Sequence, residues 1–136
     1  MFHPADIGGA RFSPVNGQPE LFFKETWSPI CGHWFWNNNN GADLFCKMKM
    51  HSSYATGRIT TGEKFGSKLP ITSAGLLLGI CREDDADIGH CTGGNNWNKD
   101  KANTYCHAGR DDAGLKIICE GEWTQIHNPV VTFVPL

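Results

Sequence analysis

The first thirty positions carry two short β-prone runs, "ARFSPV" (10–15) and "ELFFKETW" (20–27), divided by the turn signal "NGQP". Each run predicts one strand, with Trp27 at least partly in the core. "WSPIC" then leads into "CGHWFWNNNNGADLFC" (31–46), in which three successive aromatics precede four asparagines between two cysteines. Ala42, Phe45, Cys46 and Lys49 fall on one face at helical spacing. Asn40 is placed to cap that helix, and Asp43 suits its positive end or a reach back as in a capping box. Lys47 and Lys49 suit the carbonyl end. The asparagines therefore read as turn and cap, and the aromatics before them as core and rim. An ordered junction from strand to helix is the expectation.

From His51 to Pro70 the chain is polar and rich in Gly, Ser and Thr, which predicts a loop with one short strand around Tyr54–Thr60. "SAGLLLGIC" (73–81) predicts a buried strand. "CREDDADIGHC" (81–91) is a compact acidic loop closed by cysteines, and "TGGNNWNKDKANTYC" (92–106) is a second loop. "AGLKIICEGEW" (113–123) and "VVTFV" (130–134) predict strands on either side of "HNP". No internal repeat of useful length is visible.

Composition narrows the class. A chain of 136 residues with 40% apolar, 11% aromatic and 19% charged residues reads as one globular domain with a real core. Sixteen glycines and seven prolines favour many turns and short strands. A net charge of -2 leaves no broad basic footprint for nucleic acid or anionic lipid. No apolar run approaches the roughly 20 residues of a membrane span. The start "MFHPADIGG" has neither the basic region nor the apolar stretch of a signal peptide.

Six cysteines stand at 31, 46, 81, 91, 106 and 119. An even count spread over the chain favours a disulfide framework and an extracellular or secreted setting. A zinc knuckle fits less well, because there is no C-x-x-C and the Cys/His neighbours are scattered. Spacing alone leaves about 15 connectivities open.

The cysteines and their surroundings resemble a scavenger receptor cysteine-rich domain of the six-cysteine kind. "GQPELFFKETWSPIC" occupies the place of the family's G-x-V-E-V and G-x-W-G-T-V-C segments, and "HWFWNNNNGADLFCKMK" that of its D-D-x-W-D run and cysteine-bearing helix. Cys81 and Cys91 match two family cysteines ten apart. "CHAGRDDAGLKIIC" matches the closing C-x-H-x-E-D-A-G-V-x-C, with two more residues after D-A-G. The resemblance covers roughly residues 10–120, leaving 1–9 as an N-terminal extension and 121–136 as a β-prone tail. It implies an α+β domain, stapled by disulfides, in which a curved, mostly antiparallel sheet cradles one main helix. It also implies the pairs Cys31–Cys106, Cys46–Cys119 and Cys81–Cys91. In the chain-entropy model the first two are worth roughly 4 kcal/mol each and the short one nearer 3.

The family consists of non-catalytic recognition modules for proteins, glycans or polyanions. His33, His51, His90, His107 and His127 lie in unrelated contexts, and no G-x-S-x-G, H-E-x-x-H or P-loop occurs, so no enzyme is expected. Family members that bind a divalent cation use two aspartates after the first cysteine and an acid in the ten-residue loop. Gly32 and His33 stand in place of those aspartates, leaving Asp84, Asp85 and Asp87 as the remaining candidate ligands. No cofactor is expected. The basic residues Lys64, Lys68, Arg82, Lys99, Lys101 and Arg110 are dispersed in sequence.

The tail is the departure. Val130, Val131, Phe133 and Val134 form an apolar, β-branched run that suits strand addition to a neighbouring copy. The leading expectation is a self-associating subunit of an extracellular filament or matrix, with copies of itself as partners. The alternative is a secreted or cell-surface recognition domain with a protein, glycan or polyanion ligand.

Overall fold

The structure, a computed structural model, describes residues 6–91 and 99–121. Strands β1 (Ile7–Phe12), β2 (Pro19–Phe23) and β3 (Thr26–Pro29) form an antiparallel sheet in that order. Strands β4 (Thr56–Ile59) and β5 (Ile117–Glu120) pair antiparallel as a second sheet. Helix α1 (Asn40–Met50) packs against β4, β5 and β1, and a short helix α2 (Lys99–Tyr105) precedes Cys106. The domain is α+β, with antiparallel sheets around one main helix. The strands are divided between two sheets, and no described residue continues one into the other by a ladder.

The first predicted run shifts toward the N-terminus. β1 begins at Ile7, which pairs with Phe23 and is buried. Between the pairs Ile7–Phe23 and Ala10–Leu21, Gly8 and Gly9 together face Phe22, so the strand carries a bulge. It ends at Phe12 because the Ser13 hydroxyl accepts the Val15 and Asn16 N–H groups and turns the chain. Val15, placed in the strand by its sequence pattern, is 91% exposed.

The second run is two strands, not one. β2 and β3 join through Lys24 and Glu25, whose φ angles are 47° and 65°. A two-residue hairpin of this hand needs positive φ at both positions, and the sequence has no Asn-Gly there to announce it. Cross-strand packing holds it instead. Trp27 lies 5.1 Å from Phe22, half-buried at the rim, and Arg11 stacks over its indole at 4.3 Å while ion-pairing with Glu20. Replacing Lys24 by Asn together with Glu25 by Gly is expected to raise stability by about 1 kcal/mol, by removing the left-handed strain. A higher urea midpoint at unchanged slope is the measurement.

The asparagines tie the helix start to distant segments instead of capping it from the N-cap position. Asn39, not Asn40, precedes the helix, and it makes no side-chain cap. Its Oδ1 accepts the Ile59 N–H at 3.0 Å, while Asn38 and Asn40 both donate to the Cys81 carbonyl. Asp43 accepts the Gly57 N–H at 2.8 Å rather than closing a capping box. The tract thus joins the helix start to β4 and to Cys81.

"SAGLLLGIC" is buried from Leu76 to Gly79 and at Cys81, but Ser73 and Ala74 are exposed and the segment is not a strand. Leu76 makes a single parallel bridge to Ile30, and Gly75 donates to the Cys106 carbonyl. Leu76 and Leu78 face the core containing Phe35 and Phe45, while Leu77 faces a smaller cluster with Cys31, Ile71 and Cys106. The segment divides two cores, and among the described residues it has no ladder partner beyond that bridge. The predicted loop at 92–106 ends in α2, whose Ala102 carbonyl accepts the Cys106 N–H.

Three disulfides frame the domain: Cys31–Cys106, Cys46–Cys119 and Cys81–Cys91. Cys46–Cys119 fastens α1 to β5, and Cys31–Cys106 fastens the chain after β3 to the end of α2. Such a frame belongs with oxidising, extracellular-type surroundings. Among the described residues no helix is long and apolar enough to cross a membrane. Val130, Val131, Phe133 and Val134 lie outside the described residues.

Candidate functional site

After Cys31 the chain doubles back through a 3-10 turn at Phe35–Asn37. The Trp36 N–H donates to the Gly32 carbonyl at 3.0 Å and the Asn37 N–H to the Trp34 carbonyl at 3.1 Å. Trp34 adopts a left-handed φ of 66° to make the turn. Phe35 is thereby driven into the core, while His33, Trp34 and Trp36 stay half-buried on the opposite side. A β-carbon on Gly32 or Gly62 would collide with the Trp36 indole, so the ring lies between two glycine backbones. Gly32 also donates to the Ala113 carbonyl at 2.8 Å, which brings the segment beside Asp112.

The result is a cleft of about 480 Å³ lined by His33, Trp34, Trp36, Lys68 and Asp112, with the loop from Gly62 to Ser67 as its far wall. His33 is its centre. Its ring centroid lies 5.0 Å from Trp36, 5.3 Å from Tyr105 and 5.9 Å from Trp34. Its Nε2 is 3.4 Å from Asp112 Oδ1. Arg110 grips the same carboxylate, with Nε donating to Oδ1 at 2.6 Å and Nη2 to Oδ2 at 3.5 Å. Its Nη1 donates to the Thr104 carbonyl at 3.1 Å, which ties the cluster to α2.

The hydrogen bond from Arg110 holds Asp112 below the usual carboxylate range, against the opposing effect of burial. Burial lowers the pKa of His33, and this outweighs the pull of Asp112. The native state therefore favours the neutral ring and binds fewer protons there than the unfolded chain. That contribution is complete above the ordinary value of 6.5 and is lost as pH falls from there through the lower native pKa. His33→Gln is expected to flatten the stability curve in this window, as urea midpoints measured at successive pH values will report. Asp112 acts in the same direction at lower pH, below its ordinary 3.8.

The cleft has a serine, a histidine and an aspartate, but not the link that nucleophilic catalysis uses. The buried Ser67 Oγ has no hydrogen-bond partner among the described residues, so it is not joined to His33. Among the described residues no other histidine lines the cleft. His51 ends α1 in a left-handed conformation, His90 pairs with Asp87 at 2.9 Å, and His107 approaches the Ala108 carbonyl. His127 lies outside the described residues.

The acidic loop is engaged in its own turns. Asp85 accepts the Arg82 N–H at 2.7 Å, and Asp87 accepts the Gly89 N–H at 2.9 Å as it starts a 3-10 turn. Among the described residues no three His, Cys, Asp or Glu side chains are grouped to hold a metal ion, and Asp84 joins no such group. The carboxylate beside His33 is Asp112, not Asp85.

The basic residues fare differently. Lys68 lines the cleft, Arg110 backs it through Asp112, and Lys101 lies 5.9 Å from the Trp34 ring. Three cations scattered over 43 positions of sequence thus meet around one opening. Asp112, Arg110 and Tyr105 were not legible as site residues. Only the "DDAG" motif marked their neighbourhood, and it carried no sign of what it would face.

Comparison with protein-family models, curated proteins and solved structures finds no match to this chain.

Proposed function

We propose that this chain is a non-catalytic extracellular recognition module of the scavenger receptor cysteine-rich kind, taking an anionic glycan in the cleft around His33. The observation that carries this reading is the joining of aromatic faces to a cationic rim. Trp34 and Trp36 offer apolar faces to a sugar ring, Lys68 and Lys101 supply positive charge, and Arg110 offsets the carboxylate of Asp112. The single lining carboxylate, Asp112, is already neutralised by Arg110. The order of the cysteines and the "DDAG" segment support the family reading, and the three disulfides support the extracellular setting.

The test is titration of the full chain with a sulfated oligosaccharide and with a neutral one of equal length, followed by NMR. Shifts should concentrate on His33, Trp34 and Trp36, appear only with the sulfated ligand and weaken with salt. Lys68→Glu combined with Lys101→Glu is expected to weaken binding by about tenfold or more, a loss of roughly 1.4 kcal/mol. Equal response to the neutral sugar, or none to either, removes the reading.

The apolar run at Val130, Val131, Phe133 and Val134 favours a second reading, a self-associating subunit of a filament or matrix. Sedimentation velocity over a hundredfold range of concentration separates the two, since a recognition module stays monomeric.

A further inference from the structure

A second concavity lies on another part of the surface, between β1 and α1. It encloses about 530 Å³ and is lined chiefly by Ile7, the Gly8–Gly9 bulge, Trp27, Leu44, Met48 and Ile88. Lys47, His51 and Asp87 supply its polar groups. β1 is the outer strand of its sheet, so nothing in the three-stranded ladder covers this side. The bulge removes side chains where the strand borders the groove, and bulged edges resist simple strand addition. What fills such a groove is therefore a set of apolar side chains rather than a continued ladder.

We propose that the groove between β1 and α1 is the seat of this chain's own C-terminal tail, residues 122–136. The first argument is where the described chain ends. Gly121 lies against Tyr54 and Ala55, and the Ala55 carbonyl accepts a 2.7 Å hydrogen bond from the Lys47 ammonium. Lys47 lines the groove, so the last described residue, Gly121, lies near the residue that the groove's lysine holds. The second argument is reach. The eight residues 122–129 span up to about 26 Å when extended, whereas an eleven-residue helix such as α1 is only about 16 Å long. The apolar run from Val130 can therefore reach any point along α1.

The third argument is chemistry. After Glu122 the tail has no Asp, Glu, Lys or Arg, and Val130, Val131, Phe133 and Val134 match the apolar floor. Of the segments outside the described residues, 92–98 is mostly glycine and asparagine, and 1–5 offers one large apolar residue besides its Met, Phe2. The fourth is mass action. A tethered segment meets its own groove at an effective concentration near millimolar, well above that of a second copy in dilute solution. Seated in this way, the tail completes the domain and is withdrawn from assembly. The inference does not depend on the glycan cleft.

The experiment uses the full chain with labelled methionine methyls and aromatic rings. Contacts between the Met48 methyl and the Phe133 ring are read by nuclear Overhauser spectroscopy at two concentrations. The proposal expects these contacts in the monomer, unchanged on dilution, and absent from an isotope-filtered spectrum of mixed labelled and unlabelled chains. Contacts seen only in the mixed sample assign the groove to a second copy and overturn it. Contacts from Phe2 in place of Phe133, or none from either, overturn it too. Removing residues 122–136 should shift the signals of Trp27, Leu44 and Met48 and leave those of Trp34 and Trp36 in place. A reversed pattern counts against the seat even where the wild-type contacts are crowded.

Discussion

Replacing Phe45 by alanine is expected to lower the stability of the domain by about 3–5 kcal/mol, the range for a large aromatic lost from a core. Phe45 is fully buried, on the face of α1 that also carries Ala42 and Cys46. Its ring meets Phe12 of β1 edge-on at 5.3 Å, so it couples the helix to the first sheet. The same cluster contains Ile59 and Ile117 of the second sheet. Truncation leaves a cavity where helix and sheets converge, and close packing on every side limits how far it can collapse. Urea unfolding of Phe45→Ala is the measurement. A midpoint shift worth less than about 0.5 kcal/mol, the range of surface substitutions, would remove Phe45 from the core.

The second large effect is expected from Cys31→Ala combined with Cys106→Ala. The bond closes a loop of 75 residues, worth roughly 4 kcal/mol in the chain-entropy account. Its local consequence is more specific. His33 and Trp34 follow Cys31, Tyr105 precedes Cys106, and the three rings meet across that bond. The double variant should therefore lose the cleft's spectroscopic signature in addition to stability. The expected result is a lower midpoint together with collapse of the His33 and Trp34 ring-current shifts. Lower stability with unchanged ring shifts would show that the cleft holds without its disulfide. The pair Cys46→Ala and Cys119→Ala serves as control, since it closes a loop of 73 residues and joins α1 to β5.

Local pattern carried the helix well. Ala42, Phe45 and Cys46 are spaced for one buried face, and all three are buried there. The buried leucines 76–78 were visible because burial leaves its mark on composition. The hairpin at Lys24–Glu25 was not visible. Its turn has no glycine or asparagine, and only the fit of Trp27 against Phe22 and Arg11 makes the strained conformation tolerable. The asparagine tract shows a further limit. Its chemistry as a set of short polar side chains was plain, but its partners, Ile59 and Cys81, lie about 20 and 40 positions away.

The sequence by itself determined the class of this protein: an α+β chain with six cysteines, one amphipathic helix and short β-prone runs. Those features depend on neighbours a few positions apart, where steric preference and burial act locally. Which of 15 pairings the cysteines take is not local, and spacing alone left it open. The tertiary structure alone decided the site. His33 and Asp112 are 79 positions apart, yet they meet at 3.4 Å because a disulfide and the Gly32–Ala113 hydrogen bond bring their segments together. Arg110 then lowers the Asp112 pKa, and burial lowers that of His33 against the opposing pull of Asp112. Electrostatic effects depend on distance through space and on burial, and neither is a property of a residue's place in the chain.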